Sequence, residues 1–84
     1  MKMSTEDYNR IVETFEANRD VVLEHYNRVK ESGKYNVLES RVGWDCLRSF
    51  LGTPFISNQY DKGLNDTHIT TAVVKAVKHV LENK

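Results

Sequence analysis

The fold is decided by residues 47–68, which read LRSFLGTPFISNQYDKGLNDTH. In this stretch Gly52 and Gly63 each follow an apolar-striped segment, and Pro54 and Asn65 each precede another one. Glycine ends helices because it adopts left-handed backbone angles at little cost, whereas proline and asparagine are favoured where helices begin. The pattern therefore predicts short helices joined by tight turns.

Apolar residues recur at helical spacing on both sides of this stretch. Before it, Ser4 is expected to cap a first helical segment and Gly33 to end it. The stripe weakens at Asn18, which could cap a new helix, so residues 5–32 form either one helix or two. A further helix is expected over residues 36–51. Its Gly43 is either simply tolerated or allows another helix to approach closely.

The second half of the chain predicts two more helices. Thr53 should cap the first of them, with Pro54 at its first position and Gly63 beyond its end. Asn65 or Asp66 should cap the last helix, which has the most regular apolar stripe in the chain. No segment alternates with a period of two. We therefore predict an all-α fold, a compact bundle of four to five short helices forming a single domain over residues 1–84.

Charge and composition indicate where the protein is located and which kinds of site it lacks. Twelve basic residues balance twelve acidic ones, although residues 1–27 are acidic and the remainder of the chain is slightly basic. The single cysteine cannot form an internal disulfide, and no cysteine and histidine cluster has the spacing of a zinc site. The chain has neither a signal peptide pattern nor an apolar run long enough to span a membrane. These features predict a cytoplasmic protein with no direct membrane insertion.

Catalytic chemistry has weak support in the sequence. Cys46 lies beside Asp45, and histidines occur at positions 25, 68 and 79, but their spacing matches no nucleophile motif. Cys46 falls on the apolar face of its predicted helix, where free cysteine usually packs as a small hydrophobic residue. We therefore expect no catalytic residue, no metal ligand and no cofactor, and we expect that the protein is not an enzyme.

DNA binding is the alternative function. The helix, glycine and helix arrangement around Gly52 resembles a helix-turn-helix, and the following helix offers Ser57, Asn58 and Gln59 to base edges. That helix carries one basic residue, Lys62, beside an acidic one. Since phosphate neutralisation supplies most non-specific affinity for DNA, the sequence disfavours a nucleic acid partner.

Protein binding is the function that the sequence favours. Tyr35, Trp44 and Tyr60 lie at the edges of apolar stripes, and tyrosine and tryptophan are enriched among residues that dominate binding energy at interfaces. We therefore take these three residues as the candidate partner interface and predict that at least one of them lies at a partner surface, the alternative being a half-buried aromatic at the rim of the core. A homodimer is a second possibility, either through the valine and alanine face of the last helix or through attraction between oppositely charged parts of the chain.

Two segments resemble a known phage family. Residues 39–53, ESRVGWDCLRSFLGT, and residues 64–74, LNDTHITTAVV, are similar to the rapid-lysis (lysis-inhibition) accessory proteins of T-even-type phages, the RIII group. The resemblance covers about a third of the chain. It implies a non-enzymatic protein of the host cytoplasm that binds the cytoplasmic part of the phage holin and helps to delay lysis. It assigns no individual binding residue.

Overall fold

The computed structural model describes residues 2–33 and 38–83. This part of the chain forms five α-helices, in the order α1 (Thr5–Ala17), α2 (Arg19–Ser32), α3 (Leu38–Phe50), α4 (Gly52–Asp61) and α5 (Asp66–Glu82), and contains no strand. The predicted all-α bundle of four to five short helices is thus confirmed. The Cα radius of gyration is 12.3 Å, close to the value of about 12 Å expected for a folded chain of this length.

The first half of the chain forms two helices. The Ser4 hydroxyl accepts a hydrogen bond from the Asp7 amide at 3.1 Å, as predicted for the cap of α1. Asn18 occupies the capping position of α2, as predicted, but its side chain makes no capping bond there, because its amide donates backwards to the Thr14 carbonyl at 2.8 Å. Asn18 therefore closes α1 and makes no side-chain bond to α2. Gly33 ends α2 with a φ of 66°, in agreement with the prediction.

The corner between α3 and α4 is tighter than the sequence indicated. The helix predicted over residues 36–51 is observed as Leu38–Phe50, and its first two predicted positions lie outside the described residues. The Leu51 amide donates to the Leu47 carbonyl, so helical hydrogen bonding continues up to the corner. Gly52, with a φ of 78°, then begins α4 directly. The prediction that Thr53 caps this helix is therefore wrong, because Leu51 occupies the capping position.

A reciprocal pair of hydrogen bonds begins α5. The Asn65 side chain accepts from the His68 amide at 3.1 Å, and His68 Nδ1 accepts from the Asn65 amide at 3.1 Å. This capping box satisfies two backbone amides that the helix would otherwise leave without partners. It confirms Asn65, rather than Asp66, as the cap.

The regular stripe of α5 forms the centre of the hydrophobic core. It is buried against α1, α2 and α3, and its buried members are Ile69, Ala72, Val73, Ala76, Val77 and Val80. The prediction that this face could form a homodimer is wrong, because the bundle already covers it. A homodimer through another surface stays a prediction. Within residues 2–33 and 38–83, no helix combines the length and hydrophobicity needed to cross a membrane.

Gly43 allows α3 and α5 to pack closely. A Cβ atom at this position would lie 2.8 Å from the Cβ of Val73 and 3.0 Å from the Val73 carbonyl oxygen. Both distances are shorter than normal van der Waals contact, so only glycine fits here without a shift of the neighbouring helix. Of the two interpretations that the sequence left open, close helix approach is therefore the correct one.

Candidate functional site

Two of the three predicted interface residues lie in one surface depression. Trp44 from α3 and Tyr60 from α4 line an open cleft of about 410 Å³, which we name the Trp44–Tyr60 cleft. Its other lining residues are Arg48 from α3 and Asp66 and Thr70 from α5. The third predicted residue, Tyr35, lies outside the described residues. Three helices therefore contribute side chains to a single depression.

Trp44 is held in place from two sides. Its indole Nε1 donates a hydrogen bond to the Thr70 hydroxyl at 2.9 Å, which joins α3 to α5. The Arg48 guanidinium lies 5.8 Å from the centre of the indole ring, within the range of a cation–π interaction. The half-buried indole is thus oriented before any partner arrives, which reduces the conformational entropy that binding would cost.

Tyr60 is the exposed aromatic residue of the cleft. Its side chain is 44% exposed, and its hydroxyl donates a hydrogen bond to Asp66. This bond links the last turn of α4 to the first turn of α5. It raises the pKa of Tyr60 above its ordinary value, because loss of the phenol proton would break the bond and place two negative charges together. The phenol therefore stays a neutral hydrogen-bonding group at physiological pH.

The Tyr60–Asp66 hydrogen bond leads us to predict how the Tyr60 phenol titrates. In an ultraviolet titration, the phenol signal that disappears in Tyr60→Phe should have a pKa above the usual value of about 10. Asp66→Asn should lower that pKa, whereas Asp61→Asn, which removes a nearby exposed charge outside the bond, should change it less. Because the folded pKa is raised, the bond stabilises the protein below the ordinary pKa and is lost as pH rises through the folded pKa. An unchanged titration in Asp66→Asn would contradict the assignment.

Asp45 does not line the Trp44–Tyr60 cleft, but it positions one residue of it, Arg48. Its carboxylate accepts from Arg48 at 2.8 Å, from His25 Nε2 at 2.9 Å and from Arg41 at 3.1 Å. The bond to Arg48 holds that guanidinium beside Trp44, so Asp45 positions a residue of the cleft. This role of Asp45 was not predicted from the sequence. The spacing of three and four residues along α3 was a usable signal for the two arginines, whereas nothing in the sequence paired His25 with Asp45.

Cys46 is buried, as predicted from its place on the apolar face of α3. Its exposed fraction is 3%, and burial raises the pKa of its thiol to about 11, with a smaller contribution from the Asp45 charge. His25 and Ser49 lie in the same shallow cleft of about 260 Å³, but the His25 Nε2 is bonded to Asp45. Since the thiolate is the reactive form of cysteine, Cys46 is a poor nucleophile at neutral pH. The described residues contain no group of three side chains suited to binding a metal ion.

Comparison with known proteins identifies no relative. No protein-family model matches this chain. No curated protein and no solved structure is similar to it. The resemblance to the phage family therefore stays a prediction, and any function has to be inferred from the residues of the site.

Two side chains of the candidate DNA-binding region, at α4 and the residue that follows it, have other contacts than the sequence predicted. Gln59 was expected to face base edges, but it is only 1% exposed, and its side-chain amide donates to Asp7 at 3.0 Å. Lys62 donates to the same carboxylate at 2.7 Å. These bonds lower the pKa of Asp7 and tie α4 to α1. Gln59 is therefore unable to contact DNA, and the one lysine near this helix already has an anionic partner.

Proposed function

We propose that the protein is a non-enzymatic regulator that binds another protein through the Trp44–Tyr60 cleft. The main support is the convergence of Trp44, Arg48 and Tyr60 in one depression, because these three residue types are the most enriched among interface hot spots. Their internal bonds hold two of them, Trp44 and Arg48, in fixed positions before binding. A preorganised aromatic and guanidinium surface suits recognition of a protein segment better than it suits chemistry on a small substrate.

We further propose that the partner is the cytoplasmic part of a phage holin and that the protein acts in the host cytoplasm. This proposal rests on the resemblance of residues 39–53 and 64–74 to the phage lysis-inhibition proteins. Four of the five cleft residues, all except Tyr60, lie within those two segments. The two resembling segments are separate in the chain, and both contribute residues to the candidate interface.

Calorimetric titration with a synthetic peptide of the holin's cytoplasmic segment tests the proposal. We expect Tyr60→Ala and Arg48→Ala each to weaken binding by roughly 5- to 30-fold, equivalent to about 1–2 kcal/mol. Arg28→Ala is the matched control for Arg48→Ala. Both arginines are exposed and paired with an acidic residue on their own helix, but Arg28 lies on α2, away from this cleft. The control should bind like the unsubstituted protein.

Each outcome bears on a different part of the proposal. Failure of the folded, unsubstituted protein to bind the peptide would reject the holin as partner. An equal loss of affinity in Arg28→Ala would reject the Trp44–Tyr60 cleft as the binding surface.

A mobility-shift assay with DNA at low ionic strength tests the DNA-binding alternative. We expect no shift, because Lys62 is paired with Asp7. A shift that weakens with added salt would favour DNA binding instead.

A further inference from the structure

A second concavity lies on another side of the bundle. It has a volume of about 400 Å³ and is formed by the segment before α1, by α1 itself and by the first half of α5. Its lining includes Lys2 and Lys75, and none of its lining residues is acidic. We name it the Lys2–Lys75 cleft. It shares no lining residue with the Trp44–Tyr60 cleft, so an inference about it does not depend on the protein-binding proposal.

The charge of this cleft is uncompensated. Neither Lys2 nor Lys75 forms an ion pair with any residue in the described part of the chain, whereas Lys62 and Arg48 are both paired. Lys2 belongs to the segment before α1 and Lys75 to α5, so each of these two parts of the lining contributes one positive charge. An anionic group bound between them would be attracted by both lysines without displacing an existing partner.

His68 adds an imidazole ring to the same cleft. In the capping box its Nδ1 accepts the Asn65 amide, so the neutral ring must carry its proton on Nε2. The cap therefore fixes the tautomer of this imidazole and keeps Nε2–H available as a donor. This arrangement again favours an anionic or hydrogen-bond-accepting ligand.

The remaining lining is apolar. Ala72 is buried, while Met3 and Tyr8 are partly buried and pack against the hydrophobic core. Ligand pockets typically have volumes of about 300–1,000 Å³ and combine apolar walls with a few polar groups, and this cleft fits that description. We propose that the Lys2–Lys75 cleft binds a small organic carboxylate with an apolar chain. The carboxylate lies between Lys2, Lys75 and His68, and the chain lies against Met3, Tyr8 and Ala72.

Octanoate is the probe for this proposal, with binding measured by calorimetry and by amide chemical shifts. We expect saturable binding with the largest shifts at His68, Thr71 and Lys75, and weaker binding at higher ionic strength. The double variant Lys2→Gln/Lys75→Gln should bind roughly tenfold more weakly, equivalent to about 1.4 kcal/mol. Lys78→Gln, which removes an exposed lysine of α5 outside the cleft, should bind octanoate normally.

Two further ligands test the chemistry of the site. Octanol has the same chain without the charge and should bind much more weakly than octanoate. N-acetylleucine presents the carboxylate as a peptide C-terminus would, so its affinity relative to octanoate distinguishes a peptide end from a free acid. Equal binding of octanol and octanoate, an equal loss in Lys78→Gln, shifts located elsewhere, or no saturable octanoate binding would each overturn the proposal.

Discussion

Replacing Phe15 with alanine is expected to lower the free energy of unfolding by about 3–5 kcal/mol. The Phe15 ring is fully buried and meets the Phe50 ring edge to face, with the ring centres 5.7 Å apart and an angle of 88° between the ring planes. Alanine removes the buried apolar surface and leaves a cavity that the surrounding helices can only partly fill. A domain of this length has a total stability of about 4–13 kcal/mol, so the variant should lose a large part of it.

Urea denaturation followed by circular dichroism measures this loss. Phe50→Ala is the matched control, because the same ring is removed from a position that is only partly buried. It should cost less than Phe15→Ala, since part of its surface is in water already. If the two variants were equally stable, Phe15 would not hold the central position in the core that we assign to it.

Gly43→Ala should also destabilise the protein, although alanine favours helices by about 1 kcal/mol relative to glycine. The added methyl group would lie 2.8 Å from Val73 Cβ and Cγ2 and 3.0 Å from the Val73 carbonyl oxygen. The carbonyl belongs to the backbone of α5, so relief requires a movement of the helices. Because overpacking typically costs about 1–3 kcal/mol, we expect a net loss of roughly 1–2 kcal/mol.

A double-mutant cycle separates overpacking from other effects of Gly43→Ala. Val73→Ala removes Cγ2, one of the three atoms nearest to the new side chain, and creates a small cavity, although the Cβ and the carbonyl oxygen of residue 73 stay in place. In the double variant the new methyl group should partly fill that space, so the combined loss should be smaller than the sum of the two single losses. Additive losses, or a stabilised Gly43→Ala variant, would show that α3 and α5 are not packed as closely at this point as the structure indicates.

Helix ends were the most predictable features of this chain. Ser4 and Gly33 were assigned to their roles from sequence, and the structure confirms both; Asn65 was one of two caps predicted for α5, and the structure selects it over Asp66. A cap or a left-handed stop depends on a few neighbouring residues, so the local sequence contains most of the information. Thr53, which does not cap α4, and Asn18, whose side chain makes no capping bond to α2, both lie where two helices meet within one or two residues. A side chain at such a corner can form hydrogen bonds with the helix before it or with the helix after it. The capping preference of the residue itself does not determine which of the two helices it bonds to.

The candidate site was less predictable because it depends on residues that are distant in the chain. Trp44 and Tyr60 were selected separately as stripe-edge aromatics, and nothing in the sequence placed them in one cleft. Asp66 and Thr70, which bond to these two side chains, carry no signal for a binding site in the sequence. Gln59 has a polar side chain of a type that usually lies at the surface, yet the packing of α4 against α1 buries it.

The amino-acid pattern alone predicts that this protein is all-helical, where several of its helices begin and end, and that Cys46 faces the core. These properties follow from periodicity and capping, which act over a few residues. The packing of the helices, in contrast, is what buries the valine and alanine face of α5 inside the bundle and joins His25 to the arginines of α3 through Asp45. It also decided that Lys2 and Lys75 share one cleft. The physical reason is that burial and charge pairing are properties of surfaces in contact, and the contacts between helices are absent from the local pattern of any one of them.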